Sequence, residues 1–135
     1  MLTCITNLNQ IQMSNSNKNK GTTKVYFKKL LQEAKKNDWD VDLVMKVVKH
    51  PKCTLETAWE LWEFASCDAE IGAYIVQYFP ISLVDAITFA RQQDWNWEIV
   101  AGIIRRPDCN IKKAWSLFKN TGYDSDVYDV MKEVF

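Results

Sequence analysis

Residues 38–62 read DWDVDLVMKVVKHPKCTLETAWELW, and residues 94–118 read DWNWEIVAGIIRRPDCNIKKAWSLF. Set one above the other, they are one pattern written twice at a constant offset of 56 residues. Asp38-Trp39 falls on Asp94-Trp95, Val47-Val48 on Ile103-Ile104, Pro51 on Pro107 and Cys53 on Cys109. Leu55 meets Ile111, Ala58-Trp59 meets Ala114-Trp115, and Leu61-Trp62 meets Leu117-Phe118. The register holds outward to Ala34 with Ala90, Asp68 with Asp124, and Phe79 with Phe135. Matched tryptophans, prolines and cysteines in one gapless alignment mark an internal duplication, the kind of signal to read before any local structure. The two copies span 25–79 and 81–135, with Pro80 at the joint.

Each copy breaks into four helical stretches. In the first, Phe27, Leu30, Leu31 and Ala34 recur at helical spacing, as do Leu83, Ala86, Ile87 and Ala90 in the second copy. The next stretch starts at Asp40 or Asn96, whose side chains suit an N-cap. It stops before Pro51 or Pro107, because the residue before a proline is pushed out of helical geometry. The third opens at Thr54 or Asn110 and carries Leu55, Ala58, Trp59 and Trp62 on one face. Cys53 and Cys109 then stand just ahead of the cap, where an apolar side chain packs against the fourth helical residue as a hydrophobic staple. The fourth begins near Asp68 or Asp124. No stretch alternates like a strand. The expectation is an all-α fold: a tail over 1–23, then a helical domain over 24–135. Its two four-helix repeats are expected to stack as a short α-solenoid in the manner of HEAT and armadillo repeats. Trp59 and Trp115 are expected in the core, Trp39 and Trp95 at the corner into the second helix. Trp62, matched only by Phe118, and Trp97, which replaces Val41, are less constrained.

The chain is 47% hydrophobic and 25% charged, too apolar for a disordered segment. Lysine plus arginine and aspartate plus glutamate both number 17, and no region is strongly basic, so nucleic acid is not an expected partner. No apolar run approaches membrane-spanning length, and the first residues lack the charged-then-apolar order of a secretory signal. A chain of 135 residues builds a core without disulfides, so a soluble, cytoplasmic protein with reduced cysteines is expected.

Chemistry has few candidates. His50 and Cys53 are spaced like half a zinc site, with Cys67 as a further thiol, and the same residues could form a Cys–His pair. The second copy has Arg106 and Tyr123 where the first has His50 and Cys67, so the set is not repeated. A histidine at a helix end, its cation favoured by the dipole, accounts for His50 without a metal. No phosphate-cradling glycine loop or paired-carboxylate motif is present. The expectation is therefore no catalytic residue, no cofactor and no metal. A small metalloprotein or cysteine enzyme built on His50, Cys53 and Cys67, or a structural module of a larger assembly, stands as the alternative.

What differs most between the copies points to binding. Trp97 is an unpaired tryptophan, and exposed tryptophans are common interface anchors. The last helix lines up Asp124, Asp126, Asp129 and Glu133 against only Lys132. These acids suit either a solvated terminal helix or a surface that steers a basic partner.

The run from Asn37-Asp38-Trp39-Asp40 to His50-Pro51-Lys52-Cys53-Thr54-Leu55-Glu56-Thr57-Ala58 resembles a bacterial family, domain of unknown function 4274. That family carries a Trp-Asp followed by an Asn-or-His-Pro-x-Cys-Asp-Leu-Gly-Thr-Ala segment. Thr54 and Asn110 stand in place of its Asp, and Glu56 and Lys112 in place of its Gly. The resemblance implies no activity. It implies the company of toxin genes, where small proteins of this look act as immunity or accessory proteins. A non-catalytic protein that binds another protein, as an immunity-type inhibitor of a toxin, is the expected function.

Overall fold

The computed structural model describes residues 22–135, with side chains from residue 26 onward. Eight α-helices follow one another, and the described residues contain no strand: α1 (Thr22–Lys36), α2 (Val41–Val48), α3 (Leu55–Phe64), α4 (Ala69–Tyr78), α5 (Leu83–Gln92), α6 (Trp97–Ile104), α7 (Ile111–Asn120) and α8 (Ser125–Val134). The fold is all-α. The tail expected over 1–23 lies outside the described residues except for Thr22 and Thr23, which open α1. No described helix is long and apolar enough to cross a membrane.

The helix starts have the local cause that the sequence indicates. Asp40 accepts the N–H of Leu43, Thr54 that of Thr57, Asn96 those of Glu98 and Ile99, and Asn110 that of Lys113. Asp68 accepts from Glu70 and Ile71, and Asp124 from Asp126 and Val127. Each bond satisfies an amide that a helix start leaves without a partner. Ser82 does the same for α5 through Asp85, a cap with no counterpart in the paired pattern.

The helix ends have a cause that the sequence hides. Asp38 and Trp39 after α1, and Asp94 and Trp95 after α5, are consecutive left-handed residues, with φ between 54° and 61°. The Trp39 N–H reaches back to the carbonyl of Ala34 (2.7 Å) and the Trp95 N–H to that of Ala90 (2.8 Å), closing each helix with a six-residue turn. After α3 and α7 the left-handed pairs are Ser66-Cys67 and Gly122-Tyr123. Only Gly122 adopts this geometry without a Cβ penalty. The turns persist because their hydrogen bonds and the packing around them outweigh the strain. Trp39, for example, stacks on Phe64 with centroids 4.5 Å apart.

By backbone proximity the chain forms two compact units, one ending at Ile71 and one running from Gly72 to Phe135, so the division falls inside α4. In the first, α1 packs on α2 and α2 on α3. Ala34, Val44, Val47, Val48, Ala58, Leu61 and Trp62 are its buried centre. The second is built around α6, which packs against α5, α7 and α8. Every residue from Ile99 to Ile104 is buried, so beyond its first two residues the helix has no solvent face.

Within the second unit, α6 also comes close to α4 at Gly102. A Cβ there would lie 2.7 Å from the Ala73 carbonyl oxygen and 3.3 Å from Cγ2 of Val76. The first obstacle is backbone, which cannot rotate away. Gly102→Ala is therefore expected to destabilise the protein by about 1–2 kcal/mol. Helix propensity gains up to about 1 kcal/mol, against an overpacking cost of roughly 1–3 kcal/mol. A denaturant midpoint at or above the native one would show that α4 and α6 are not in close contact.

Two tryptophans reverse the expected order. Trp115, expected in the core, is 49% exposed, whereas Trp62 is fully buried and the largest side chain of the interior. The helical stripe alone could not rank them, because each lies near the edge of its buried arc and the neighbouring helices decide which edge is covered.

Candidate functional site

The binding residues expected from the sequence occupy α8 and the start of α6. Val127, Val130 and Met131 bury one face of α8. Asp126, Asp129 and Glu133, spaced three and four apart, share a stripe on another face. Much of this acid is already engaged. Asp124 is the N-cap, Asp129 pairs with Lys132 at 3.4 Å, and Glu133 accepts from Arg105 at the end of α6 at 3.2 Å. The carboxylate of Asp126 has no ion pair among the described residues. Trp97 is 39% exposed. It lies at the other end of α6 from Arg105, eight residues away, or roughly 12 Å along the axis. The Arg105–Glu133 bridge therefore ties the acids to α6 at the end remote from Trp97.

A second surface was not foreseen. Trp115 on α7 lies edge-on to Phe118 (5.6 Å between centroids) and 6.5 Å from Tyr128 on α8. Phe118 also meets Tyr123 edge-on at 5.3 Å and Tyr128 at 5.7 Å. Phe118 is buried, but Trp115, Tyr123 (61% exposed) and Tyr128 (42%) form an open aromatic ledge above it. The Lys132 ammonium stands 5.1 Å from the Tyr128 ring centroid, within cation–π range. The signal for this ledge was present in the alignment. Tyr128 and Lys132 occupy the places of Gly72 and Val76 in the first copy, both of which are buried.

Among the described residues, His50, Cys53 and Cys67 are not gathered with further ligands as a metal site. Nδ1 of His50 accepts the Lys52 N–H at 3.0 Å, and its ring lies against Tyr26 and Phe27. Burial, with Lys52 adding to it, holds the imidazole pKa below its usual range. The expected dipole-stabilised cation is thus corrected: desolvation outweighs the helix end, and neutral imidazole is the favoured form. Because the unfolded chain binds the proton more readily, stability should fall as pH drops from about 6.5 towards the folded pKa. His50→Gln should remove that part of the slope in unfolding measured between pH 7.5 and pH 5. An unchanged slope would mean that His50 is not its source.

The Cys53 thiol is pushed up to about 12 by burial, and that of Cys109 is raised for the same main reason, so neither is a ready nucleophile. Cys67 is disulfide-bonded and is not the further thiol assumed from the sequence. Among the described residues, no three histidine, cysteine or acidic side chains gather as a metal site. The Glu60 carboxyl is raised by burial and by nearby Glu63. Glu63 is another acid rather than a complementary base.

Arg106, the counterpart of His50, has a structural task that spacing could not reveal. Its Nη1 donates to the Val76 carbonyl and its Nη2 to that of Ile81, both at 2.8 Å. Nε and Nη2 also donate to the two carboxylate oxygens of Asp108 at 2.9 Å. This pairing raises the pKa of Arg106 and lowers that of Asp108. Arg106 thereby supplies the missing partner for a carbonyl in the last turn of α4 and complements its dipole. No protein-family model matches the chain, and neither a curated protein nor a solved structure is detectably similar to it.

Proposed function

We propose that this chain is a non-catalytic binding protein, made of two tandem four-helix repeats in a short solenoid-like stack, whose target is another protein. The bounds of α2, α3 and α4 recur at the same 56-residue offset in α6, α7 and α8, and the left-handed turn residues recur with them. The contact of α4 with α6 supports a stack that stops. Ala73, Val76 and Gly102 make that contact, and their counterparts in the other copy are Asp129, Lys132 and Lys46, all exposed. Charge where the inner contact has small or apolar side chains is how terminal repeats end an array.

The observation that carries the binding reading is the exposed aromatic ledge of Trp115, Tyr123 and Tyr128. Large aromatics in the open are typical anchors of protein interfaces. An immunity-type inhibitor of a toxin is the form of this function that we infer, from the family resemblance. The test is co-expression with the product of the neighbouring gene. Relief of growth arrest, with co-purification of the two proteins, supports the reading; arrest without relief or complex sinks it. Cytoplasmic residence belongs to the same proposal. A reducing cytoplasm would leave the cysteines as thiols, and an oxidising compartment would pair them. Alkylation of the thiols in protein from its native source discriminates the two.

A further inference from the structure

Resting on the reading that this protein binds another protein, we propose that the α7–α8 aromatic ledge docks an acidic segment of that partner bearing aromatic or aliphatic side chains. The ledge continues along α7 to exposed Ile111, one turn before Trp115. Its three exposed aromatics offer on the order of 300 Å² of surface, given that such side chains bury about 150–250 Å² when fully covered. That matches the apolar patches through which monomers act, about 300–600 Å², and falls well short of the roughly 800 Å² per partner in a stable dimer. A peptide segment suits the ledge better than a second copy of this chain.

The local charge gives the sign of the partner. Lys112 and Lys119, three residues before and four after Trp115, flank it on α7, and neither has an ion pair among the described residues. Lys132 borders Tyr128 on α8. Of the α8 acids, Asp129 pairs with that lysine at 3.4 Å, and Glu133 meets Arg105 of α6. A chain of zero net charge thus presents a locally positive edge on the α7 side of its exposed rings. Lys112 and Lys119, beside an acidic helix, neutralise too few phosphates to hold a nucleic acid at ordinary salt. They suffice to steer and register a few carboxylates.

The experiment uses the full chain and three probes of similar length. One is a peptide alternating Asp and Glu with Phe and Leu, the second the same peptide with Lys for every acid, the third a single-stranded RNA. Binding is read from tryptophan indole N–H resonances and by titration at two salt concentrations. The acidic peptide is expected to shift the Trp115 signal and to bind less tightly as salt rises. It should lose about 10-fold or more in affinity to Lys112→Glu/Lys119→Glu and to Trp115→Ala. Because these side chains are exposed, circular dichroism of the variants should match the native protein. Equal affinity in the variants, tighter binding of RNA, or no acidic-peptide binding overturns the assignment. So does ledge-dependent dimerisation in sedimentation. Tighter binding of the lysine peptide at Trp97 or the α8 acids also overturns it, while leaving the protein-binding reading in place. That reading fails separately, in the growth experiment.

Discussion

Arg106→Ala is expected to lower the stability of the protein by about 3–5 kcal/mol, because it removes two carbonyl hydrogen bonds from a charged donor, each worth about 1.5–3 kcal/mol. Arg106 is only 9% exposed, so solvent cannot take its place without rearrangement. The substitution orphans the buried Val76 carbonyl, a loss of about 1–3 kcal/mol, and with it the part-buried Ile81 carbonyl, which water can reach more easily. It also removes the arginine stem from the interior. For a domain of this size the loss corresponds to a fall in Tm of roughly 10 °C or more. Arg106→Lys keeps the charge but cannot reach two carbonyls and a carboxylate together, so an intermediate loss is expected. Asp108→Asn should cost less than about 1 kcal/mol, because its carboxylate is half exposed and screened. The order is the test. If Asp108→Asn proved as damaging as Arg106→Ala, the exposed ion pair would be the support rather than the carbonyl contacts. Denaturant unfolding of the three variants separates the cases.

That arginine marks where reading the sequence runs out. Helix starts were legible because a cap acts within three residues: Asp40, Thr54, Asn96 and Asn110 each bond an amide two or three positions ahead. Pro51 and Pro107 are equally local. Arg106 instead acts on carbonyls 30 and 25 residues away, and spacing offers no measure of that reach. Seen only as the residue in place of His50, it counted against a metal site and for nothing else. Gly102 is similar. In sequence it weakens a helix, yet the fold needs it because the α4 backbone comes too near for any side chain. The aromatic ledge was half legible. Comparing Gly72 with Tyr128 and Val76 with Lys132 shows a buried position becoming an exposed one, but only after a contact with α6 identifies what the earlier positions do. Trp97 and the α8 acids were chosen because they differ between copies. Three of those four acids turn out to have partners: Asp124 the amides it caps, Asp129 the nearby Lys132, and Glu133 the distant Arg105 of α6.

Trp62→Ala is expected to match Arg106→Ala in size, through apolar packing. Trp62 has no exposed surface and meets Trp59 edge-on, with ring centroids 5.6 Å apart. Emptying such a site costs about 3–5 kcal/mol, since the lost transfer energy is compounded by a cavity that the neighbours fill only in part. Leu61 and Ala58 on the same helix are also fully buried, so little slack is available nearby. Trp62→Phe, the solution that the second copy adopts at Phe118, removes less volume and should cost roughly 1–2 kcal/mol. Trp115→Ala provides the contrast. Although Trp115 is paired across the copies and Trp62 is not, half of its surface is already in water, and its removal should cost under about 1.5 kcal/mol. Hydrogen exchange should show the Trp62→Ala loss as faster opening of α2 and α3, the helices that share its unit. If Trp115→Ala destabilised more than Trp62→Ala, burial would not be what separates the two tryptophans. The open ring would then be a structural element rather than a free surface, and the case for docking on it would fall with that result.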